Sequence, residues 1–175
     1  MKAILLIITL AASASCAMPT AAGTDFVTGQ TRLGGRAAVT SSSDTPDGSG
    51  YVLFDVYAFD AGVFFTDQLE LGATVETLTS SFLNDAQLYT GFARYYLKSE
   101  GNVRPFVLAG AGLYKADDGS GDVYRLGAGV SQYISESTSF ELYAENQFSS
   151  YVTDPPAIEK ESDALNIYFG VNIFL

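Results

Sequence analysis

The sequence predicts an all-β fold, an eight-stranded up-and-down antiparallel β-barrel. After residue 22, apolar side chains recur at every second position and no segment repeats them every 3.6 residues, which is the pattern of strands. Short turns alternate along the chain with longer connections rich in Gly, Asp, Ser or Pro. An up-and-down sheet would place all short turns at one end and all long loops at the other. That asymmetry is typical of transmembrane barrels of an outer membrane.

Eight segments carry the alternating pattern. The predicted strands are 31–41, 51–66, 69–80, 87–98, 104–116, 123–134, 140–152 and 165–175. The turns TDQ, SEGN and SEST are short, whereas the connections over 42–50, 117–122 and 153–163 are long and polar. The eighth strand has a free edge that needs a partner, and pairing with the first strand would close the barrel.

The first 22 residues predict a secretory signal peptide. A single positive charge, Lys2, precedes an apolar run over residues 3–12, and small residues follow. The apolar run is too short to span a bilayer as a helix. Cleavage after Ala17 and cleavage after Ala22 both fit the small-residue pattern, and we expect a signal peptide over residues 1–22.

One barrel domain is expected over residues 23–175, without a linker or a second domain. Cys16 is the only cysteine, and two fates are open for it: loss with the signal peptide, or lipidation as the first residue of the mature chain. In both cases the mature chain is expected to form no disulfide. The expected compartment lies outside the cytoplasm.

The composition excludes several classes of function. The chain has no histidine, which removes Ser-His-Asp and Cys-His catalytic sites and most zinc and haem sites. Its formal net charge is −11, so a basic nucleic-acid-binding surface is not expected. The acidic segment 117–122 lacks the twelve-residue loop and the bidentate glutamate of an EF-hand calcium site. We therefore expect no enzyme, no cofactor, no metal site and no nucleic-acid partner.

The two faces of most strands differ in polarity. In the third strand Leu71 and Val75 share one face, whereas Glu70 and Glu76 share the other. Glycines on the polar face suit a crowded interior, and aromatic residues recur near strand ends as they do in membrane girdles. We therefore expect the apolar face to meet lipid and the polar face to line the lumen, the inside of the barrel. The charged residues expected in the lumen are Arg32, Arg36, Asp55, Glu70, Glu76, Arg94, Arg125, Glu141 and Glu145.

The second and fifth strands are less regular. The even-numbered residues over 52–58 are apolar and would face lipid opposite Asp55, yet Asp60 then falls on the apolar face. A bulge near residues 59–62, or a position of Asp60 at the rim, is the expected explanation. The fifth strand is apolar or small on both faces.

Arg94 is expected to reach a carboxylate on the neighbouring strand. Pairing across the connection between the third and fourth strands would set Arg94 opposite Thr74 and diagonal to Glu76. Charges of both signs in a narrow lumen indicate an internal salt-bridge network, because unpaired buried charges are costly. Eight strands leave an interior just wide enough for side chains to fill. A filled, structural lumen is therefore favoured over a lining that selects ions or small solutes.

Three segments resemble a known family. They are GVFFTDQLELGATV over 62–75, RPFVLAGAGLY over 104–114 and the C-terminal strand. With them the chain resembles the small eight-stranded outer-membrane β-barrel proteins of Gram-negative bacteria, the OmpA/OmpX/OmpW-like superfamily. The resemblance covers everything after the signal peptide and implies a location in the outer membrane. The partners it implies are outer-membrane lipid, lipopolysaccharide and the barrel-assembly machinery.

The resemblance also implies that the last strand carries the signal read by the barrel-assembly machinery. This assembly signal would comprise Phe169, Val171, Ile173 and Leu175. Phe174, the last aromatic residue, stands on the other face of the strand. Surface partners would be contacted through the loops at 42–50, 117–122 and 153–163.

Three hypotheses for the function remain. The first is an integral outer-membrane barrel with a structural, stress-related or surface-interaction role, and the mixed charges of the lining favour it. The second is a narrow channel for small or hydrophobic solutes, which the OmpW-like resemblance implies. The channel hypothesis stays open because apolar and aromatic residues are expected on the inner face of two strands. They are Phe92, Tyr96, Phe106 and Leu108. The third is a secreted soluble barrel that binds a lipid, which requires the apolar face to point inward.

Overall fold

The strands form a closed sheet. The structure is a computed structural model that describes residues 26–42, 52–79, 86–99, 101–116, 119–153 and 158–175, so the predicted signal peptide over 1–22 lies outside the described residues. The strands are β1 (Thr31–Ser42), β2 (Val52–Phe64), β3 (Leu69–Thr79), β4 (Ala86–Tyr96), β5 (Val103–Ala116), β6 (Gly119–Ser135), β7 (Thr138–Thr153) and β8 (Ile158–Phe174). Each strand pairs antiparallel with the next, and β8 pairs with β1, which confirms the predicted up-and-down barrel. Across the described ranges, no helix is long and apolar enough to cross a membrane.

The two ends of the barrel differ. Thr31 and Phe174, the first and last strand residues, lie at the same end as the short connections 65–68, 97–102 and 136–137. We call this the terminal end. The opposite end, where β1 ends at Ser42 and β2 begins at Val52, is called the loop end. The three predicted short turns therefore lie together at one end of the barrel.

β6 and β8 extend farther toward the loop end than predicted. β6 begins at Gly119, which pairs with Ala116, and β8 begins at Ile158. The expected loops over 117–122 and 153–163 are therefore largely paired strand. Beyond the apolar band both faces of a strand meet water, so the hydrophobic alternation is lost while the backbone pairing continues.

The strands are strongly staggered. Following directly paired residues once around the barrel from Arg32 leads back to β1 at Ser42, ten residues farther along. This stagger tilts the strands against the barrel axis, and in a barrel of eight strands the interior is filled by side chains. The residues that line the lumen are therefore also those that occupy it.

The outer surface of the barrel is apolar. Large side chains exposed there include Leu71, Val75, Tyr89, Val107, Leu126, Phe169 and Ile173. Charged and polar side chains are buried inside, which is the reverse of a soluble barrel or sandwich. The hypothesis of a soluble lipid-binding barrel, which requires an apolar interior, does not fit this structure.

β2 faces the opposite way from the prediction. Val56 and Ala58 are 1% exposed, whereas Tyr57 and Phe59 are 57% and 75% exposed. The pairing of β2 with β1 continues across Asp60 without a register shift, so the expected bulge does not occur at that point. Both faces of β2 are largely apolar and each carries one aspartate, Asp55 or Asp60, so polarity in the sequence does not distinguish them.

Asp60 is a carboxylate that β2 places inside the barrel. Asp60 is 6% exposed and lies on the same face as the buried Val56. Asp55 is a β2 residue of the opposite parity, that of the exposed Tyr57, and its side chain lies outside the described part of the structure. Asp60 therefore joins the lumen residues, and the prediction for Asp55 lies outside the described side chains.

Replacement of Phe169 by Asp is expected to block assembly into the membrane while leaving secretion intact. Phe169 is 58% exposed on the outer face of β8, where a charge costs on the order of 2 kcal/mol. Heat-modifiable gel mobility of the cell-envelope fraction measures the assembled barrel. Phe169→Leu, which keeps the apolar surface, is the matched control. Normal assembly of both Phe169→Asp and Ile173→Asp would show that this face does not meet lipid.

Candidate functional site

Among the described residues, ten charged side chains are buried in the barrel. Each is at most 8% exposed, and five arginines balance five carboxylates. They are Arg32, Arg36, Asp60, Glu70, Glu76, Arg94, Arg104, Arg125, Glu141 and Glu145. Charges removed from water are tolerated only when they are paired, so the partners of these groups decide whether such an interior is stable.

Arg32 on β1 binds two carboxylates at once. Its Nε lies 2.7 Å from Glu70 Oε1 on β3, and its Nη2 contacts Asp60 Oδ2 on β2. Its Nη1 donates a hydrogen bond to Asn172 Oδ1 on β8. Each nitrogen of the guanidinium therefore has a partner, and the three partners come from three different strands. This arrangement fixes the orientation of the planar group.

Arg94 on β4 reaches across the lumen to β7. Its Nη1 lies 2.6 Å from Glu141 Oε1, and its Nε lies 3.9 Å from Glu70 Oε2. Ser131 donates a hydrogen bond to the same Glu141 oxygen at 2.8 Å. The hydroxyl of Tyr96 accepts a hydrogen bond from Arg94 and donates one to Glu70, each at 3.1 Å. Arg94 therefore joins opposite walls of the barrel.

Glu76 on β3 has a similar position in the half of the lumen nearer the loop end. Arg125 Nη2 lies 2.9 Å from Glu76 Oε1, and Arg125 Nη1 lies 3.5 Å from Glu145 Oε1. The hydroxyl of Tyr168 donates a hydrogen bond to Glu76 Oε2 at 3.0 Å. Glu76 thereby connects β3 with both β6 and β8.

Arg36 joins the two halves of the network. Its Nη1 lies 3.3 Å from Asp60 Oδ1, and its Nη2 lies 3.8 Å from Glu76 Oε2. Its guanidinium also lies 5.0 Å from the ring centre of Tyr168. Nine residues consequently form one series of alternating charge, here called the charge chain. In order, they are Glu141, Arg94, Glu70, Arg32, Asp60, Arg36, Glu76, Arg125 and Glu145.

The charge chain contains eight of the nine side chains predicted to line the lumen, together with Asp60, which was not among them. The pairing of β3 with β4 differs from the expected register. Arg94 stands opposite Glu70, four residues from the expected Thr74. This register brings Arg94 directly beside the carboxylate of Glu70, whereas the predicted pairing allows only a diagonal contact.

A row of polar atoms in the half nearer the loop end has no hydrogen-bond partner within the described structure. The row includes Thr40 Oγ1, Asn166 Oδ1 and both carboxylate oxygens of Glu145. Glu145 Oε1 lies within ion-pair distance of Arg125, but the two groups are not aligned as a hydrogen bond. Thr40, Asn166 and Glu145 are direct neighbours across β1, β8 and β7. Buried polar groups of this kind are commonly satisfied by water, so this row is suited to bound water.

Aromatic rings close the terminal end of the lumen. The ring centre of Phe174 lies 5.3 Å from that of Tyr133 and 5.7 Å from that of Phe26. Phe174 packs into this cluster inside the barrel. The last aromatic residue therefore stands on the inward face of β8 and not on the lipid-facing one. Arg104, which the sequence analysis missed, lies 4.6 Å from the Phe26 ring centre. The aromatic cap, as we call the cluster, consists of Phe26, Phe64, Tyr96, Tyr133 and Phe174, each at most 5% exposed.

Three residues of the predicted assembly signal point outward from β8, and Leu175, directly after the strand, is exposed as well. Phe169, Val171, Ile173 and Leu175 are 58%, 39%, 50% and 70% exposed. β8 pairs with β1, so this apolar row lies at the seam that closes the barrel. Its recognition by the assembly machinery stays a prediction.

The described part of the chain offers no cluster of side chains that could bind a metal ion. No group of three or more His, Cys, Asp or Glu side chains there could hold a metal ion. The five buried carboxylates instead contact arginines, so their charges are already compensated. The chemistry of this interior is pairing of charges.

Comparison with known proteins identifies the fold. No family model matches the chain, and no curated protein matches it. Neisserial surface protein A is similar in structure, with a TM-score of 0.64 and 15% identity over 84% of this chain and 97% of that chain. The N-terminal β-barrel domain of Pseudomonas aeruginosa OprF has a TM-score of 0.57 and 20% identity over 84% of this chain and 99% of that chain. The chain has the outer-membrane β-barrel fold.

A third structure with this outer-membrane barrel fold is Ail, the attachment invasion locus protein of Yersinia pestis. Its TM-score is 0.54, with 14% identity over 85% of this chain and 100% of that chain. The fold confirms the predicted eight-stranded transmembrane architecture. Together with the apolar exterior, it supports the expected location in the outer membrane of a Gram-negative bacterium.

Arg94→Met is expected to lower the free energy of unfolding of the barrel by about 3–5 kcal/mol, because it leaves Glu141 buried without a cation. Urea unfolding in lipid vesicles, followed by gel mobility, measures this change. Lys98→Met is the matched control. Lys98 forms an ion pair with Asp67 at 3.2 Å, but the two side chains are 75% and 51% exposed, so the loss there should be below about 1 kcal/mol. Equal losses in the two variants would contradict a stabilising charge chain.

Gly34→Ala is expected to destabilise the barrel by about 1–3 kcal/mol. A Cβ on Gly34 would lie 2.6 Å from Arg32 Nη1 and 2.7 Å from Asp60 Oδ1, both held in the charge chain. The neighbouring Gly35→Ala is the control, because a Cβ there would meet only the ring of Phe59, at 3.8 Å. The same urea titration compares the two variants. A Gly34→Ala barrel as stable as the Gly35→Ala barrel would show that the charge chain can shift freely.

Proposed function

We propose that this chain is an integral outer-membrane barrel with a structural or surface-interaction role, and that its lumen is closed to ions and solutes. The charge chain carries this proposal, because its members are nearly fully buried and bridge opposite walls. An arginine held by two carboxylates can move aside only by leaving buried charges unpaired, at a cost of about 3–5 kcal/mol. Such a lining favours obstruction over conduction.

The aromatic cap supports the same function. It occupies the terminal end of the lumen, directly against the charge chain, because Tyr96 belongs to the cap and also binds Arg94 and Glu70. A solute crossing the lumen would have to displace the cap as well as the charge chain. Two obstructions in series therefore favour a closed barrel.

A narrow channel for small or hydrophobic solutes, the OmpW-like alternative, has less support. It depended on apolar and aromatic residues inside the lumen, among them Phe92 and Phe106. The guanidinium of Arg94 lies 5.5 Å from the ring centre of Phe92 and 4.5 Å from that of Phe106. Because these ring faces already meet a buried cation, the contacts favour a filled interior over an apolar path.

A surface-interaction role would use the loop end. β7 and β8 are paired there as far as Thr153 and Ile158, and the exposed residues on this side include Asp122, Glu161 and Asp163. Two proteins of the same fold bear the words surface protein and attachment in their names. The further partners that we propose are outer-membrane lipid and lipopolysaccharide on the apolar exterior, and the barrel-assembly machinery at β8.

Catalysis is not part of the proposed function. The carboxylate pairs that could serve as general acid and base are Glu70 with Glu76 and Glu141 with Glu145. All four belong to the charge chain and have an arginine within ion-pair distance. A carboxylate held in this way is poorly placed to exchange protons with a substrate.

Purified wild-type barrel in a planar lipid bilayer is expected to show no stable single-channel current over a wide range of voltage and salt. The physical reason is that both the charge chain and the aromatic cap fill the lumen. A general porin in the same bilayer is the positive control. Reproducible single-channel steps from the wild-type barrel would overturn the closed-lumen proposal and favour the channel.

A further inference from the structure

The segment over residues 26–30 precedes β1 and folds back under the terminal end of the barrel. Gln30 N donates a hydrogen bond to Val27 O at 2.9 Å, which closes a turn. Gly29 in this turn has a φ of 89°, a conformation that glycine adopts without strain. Gly29 N also donates to Phe64 O at 2.8 Å, and Phe64 N donates to Gln30 O at 2.9 Å. The turn is thereby tied to the end of β2, and Phe26, directly before it, lies in the lumen.

Phe26 occupies the centre of the aromatic cap. Its side chain is 5% exposed, although it belongs to no strand. Its ring stacks on Phe64 with 3.9 Å between the ring centres, and it lies 4.8 Å from Tyr96 and 5.9 Å from Tyr133. The guanidinium of Arg104 lies 4.6 Å from the same ring centre. With Phe174, which lies 5.7 Å away, the barrel wall therefore provides a pocket of four rings and one cation for Phe26.

The other rings of the cap belong to the wall, whereas Phe26 does not. Phe64, Tyr96 and Tyr133 are strand residues and are held by the pairing of their strands. Thr31 and Leu175 exchange backbone hydrogen bonds of 3.2 and 2.8 Å, which hold the start of β1 against the end of the chain. Phe26 lies before this clamp. Its ring can leave the pocket without breaking any strand pairing.

We propose that the Phe26 side chain is a movable stopper, which plugs the terminal end of the lumen while the turn over residues 27–30 stays anchored to β2. With the ring in its pocket, water and small solutes that arrive from the terminal end are excluded from the buried groups deeper in the lumen. With the ring withdrawn, an aromatic pocket beside Arg104 opens to the terminal side and the charge chain becomes accessible from there. This role of Phe26 does not depend on whether the lumen conducts, because the stopper controls entry from one end only.

A buried thiol at the terminal end tests the stopper. Ser139 is fully buried on β7 and pairs directly with Tyr133, whose ring contacts Phe26. In a Cys16→Ser background, Ser139→Cys is expected to react slowly with a small charged thiol reagent added to the folded barrel. Addition of Phe26→Ala should raise the labelling rate by about tenfold or more, because the ring contacts that keep the pocket closed are lost.

Two controls separate a stopper from general loosening. Val27→Ala changes the same turn at a side chain that is 67% exposed, so the labelling rate of Ser139→Cys should not change. A thiol at Thr40, buried in the half of the lumen nearer the loop end, should react equally slowly with and without Phe26→Ala. Faster labelling at both thiols would contradict the stopper and indicate a loosened barrel.

Phe26→Leu keeps the test decisive if Phe26→Ala does not fold. Heat-modifiable gel mobility establishes which variants are folded. Leucine keeps an apolar side chain but loses ring stacking and the contact with Arg104, so labelling at Ser139→Cys should fall between that of the parent and that of Phe26→Ala. Labelling no faster than the parent in a folded Phe26 variant would overturn the proposal.

Discussion

The stability of this barrel depends on the exact alternation of charge along one buried series of ion pairs. Each interior carboxylate of the series contacts at least one guanidinium group, and three of these carboxylates contact two guanidinium groups each. Because removal from water penalises every one of these groups, the interior is stable only if the pairs are complete. The series begins on β7 at Glu141 and returns to β7 at Glu145, and it includes side chains of β1, β2, β3, β4 and β6. It therefore links six strands of the wall to one another through the lumen.

The polar interior and the apolar exterior are two consequences of one constraint. A wall that faces lipid must present apolar side chains outward, and the alternation of a strand then sends every second residue into a lumen too narrow for bulk water. Charged residues there need partners within reach, and the stagger of the strands brings side chains from different strands close together. Arg32 shows this geometry, since it reaches carboxylates on both β2 and β3. The aromatic cap adds an apolar seal at the end where a charged layer would otherwise meet water.

Alternation in the sequence was sufficient to predict the barrel and most of its interior, but not the contacts within it. Glu70 and Arg94 were assigned to the lumen because each opposes an apolar face. β2 was assigned wrongly because both of its faces are largely apolar and each carries one aspartate, Asp55 on one and Asp60 on the other. The register of Arg94 depends on where the connection between β3 and β4 closes, which residue types do not determine. Phe26 could not be predicted, since it precedes the strands and no periodicity marks it.

A double-mutant cycle between Arg32 and Glu70 tests the central claim most directly. Arg32→Met, Glu70→Gln and the double variant are unfolded in urea in the same lipid vesicles as the parent barrel. If the ion pair at 2.7 Å is part of a stabilising series, the double variant should lose less stability than the sum of the single losses, by about 1 kcal/mol or more. Losses that add within about 0.5 kcal/mol would show that the two side chains are not coupled, and would contradict the account.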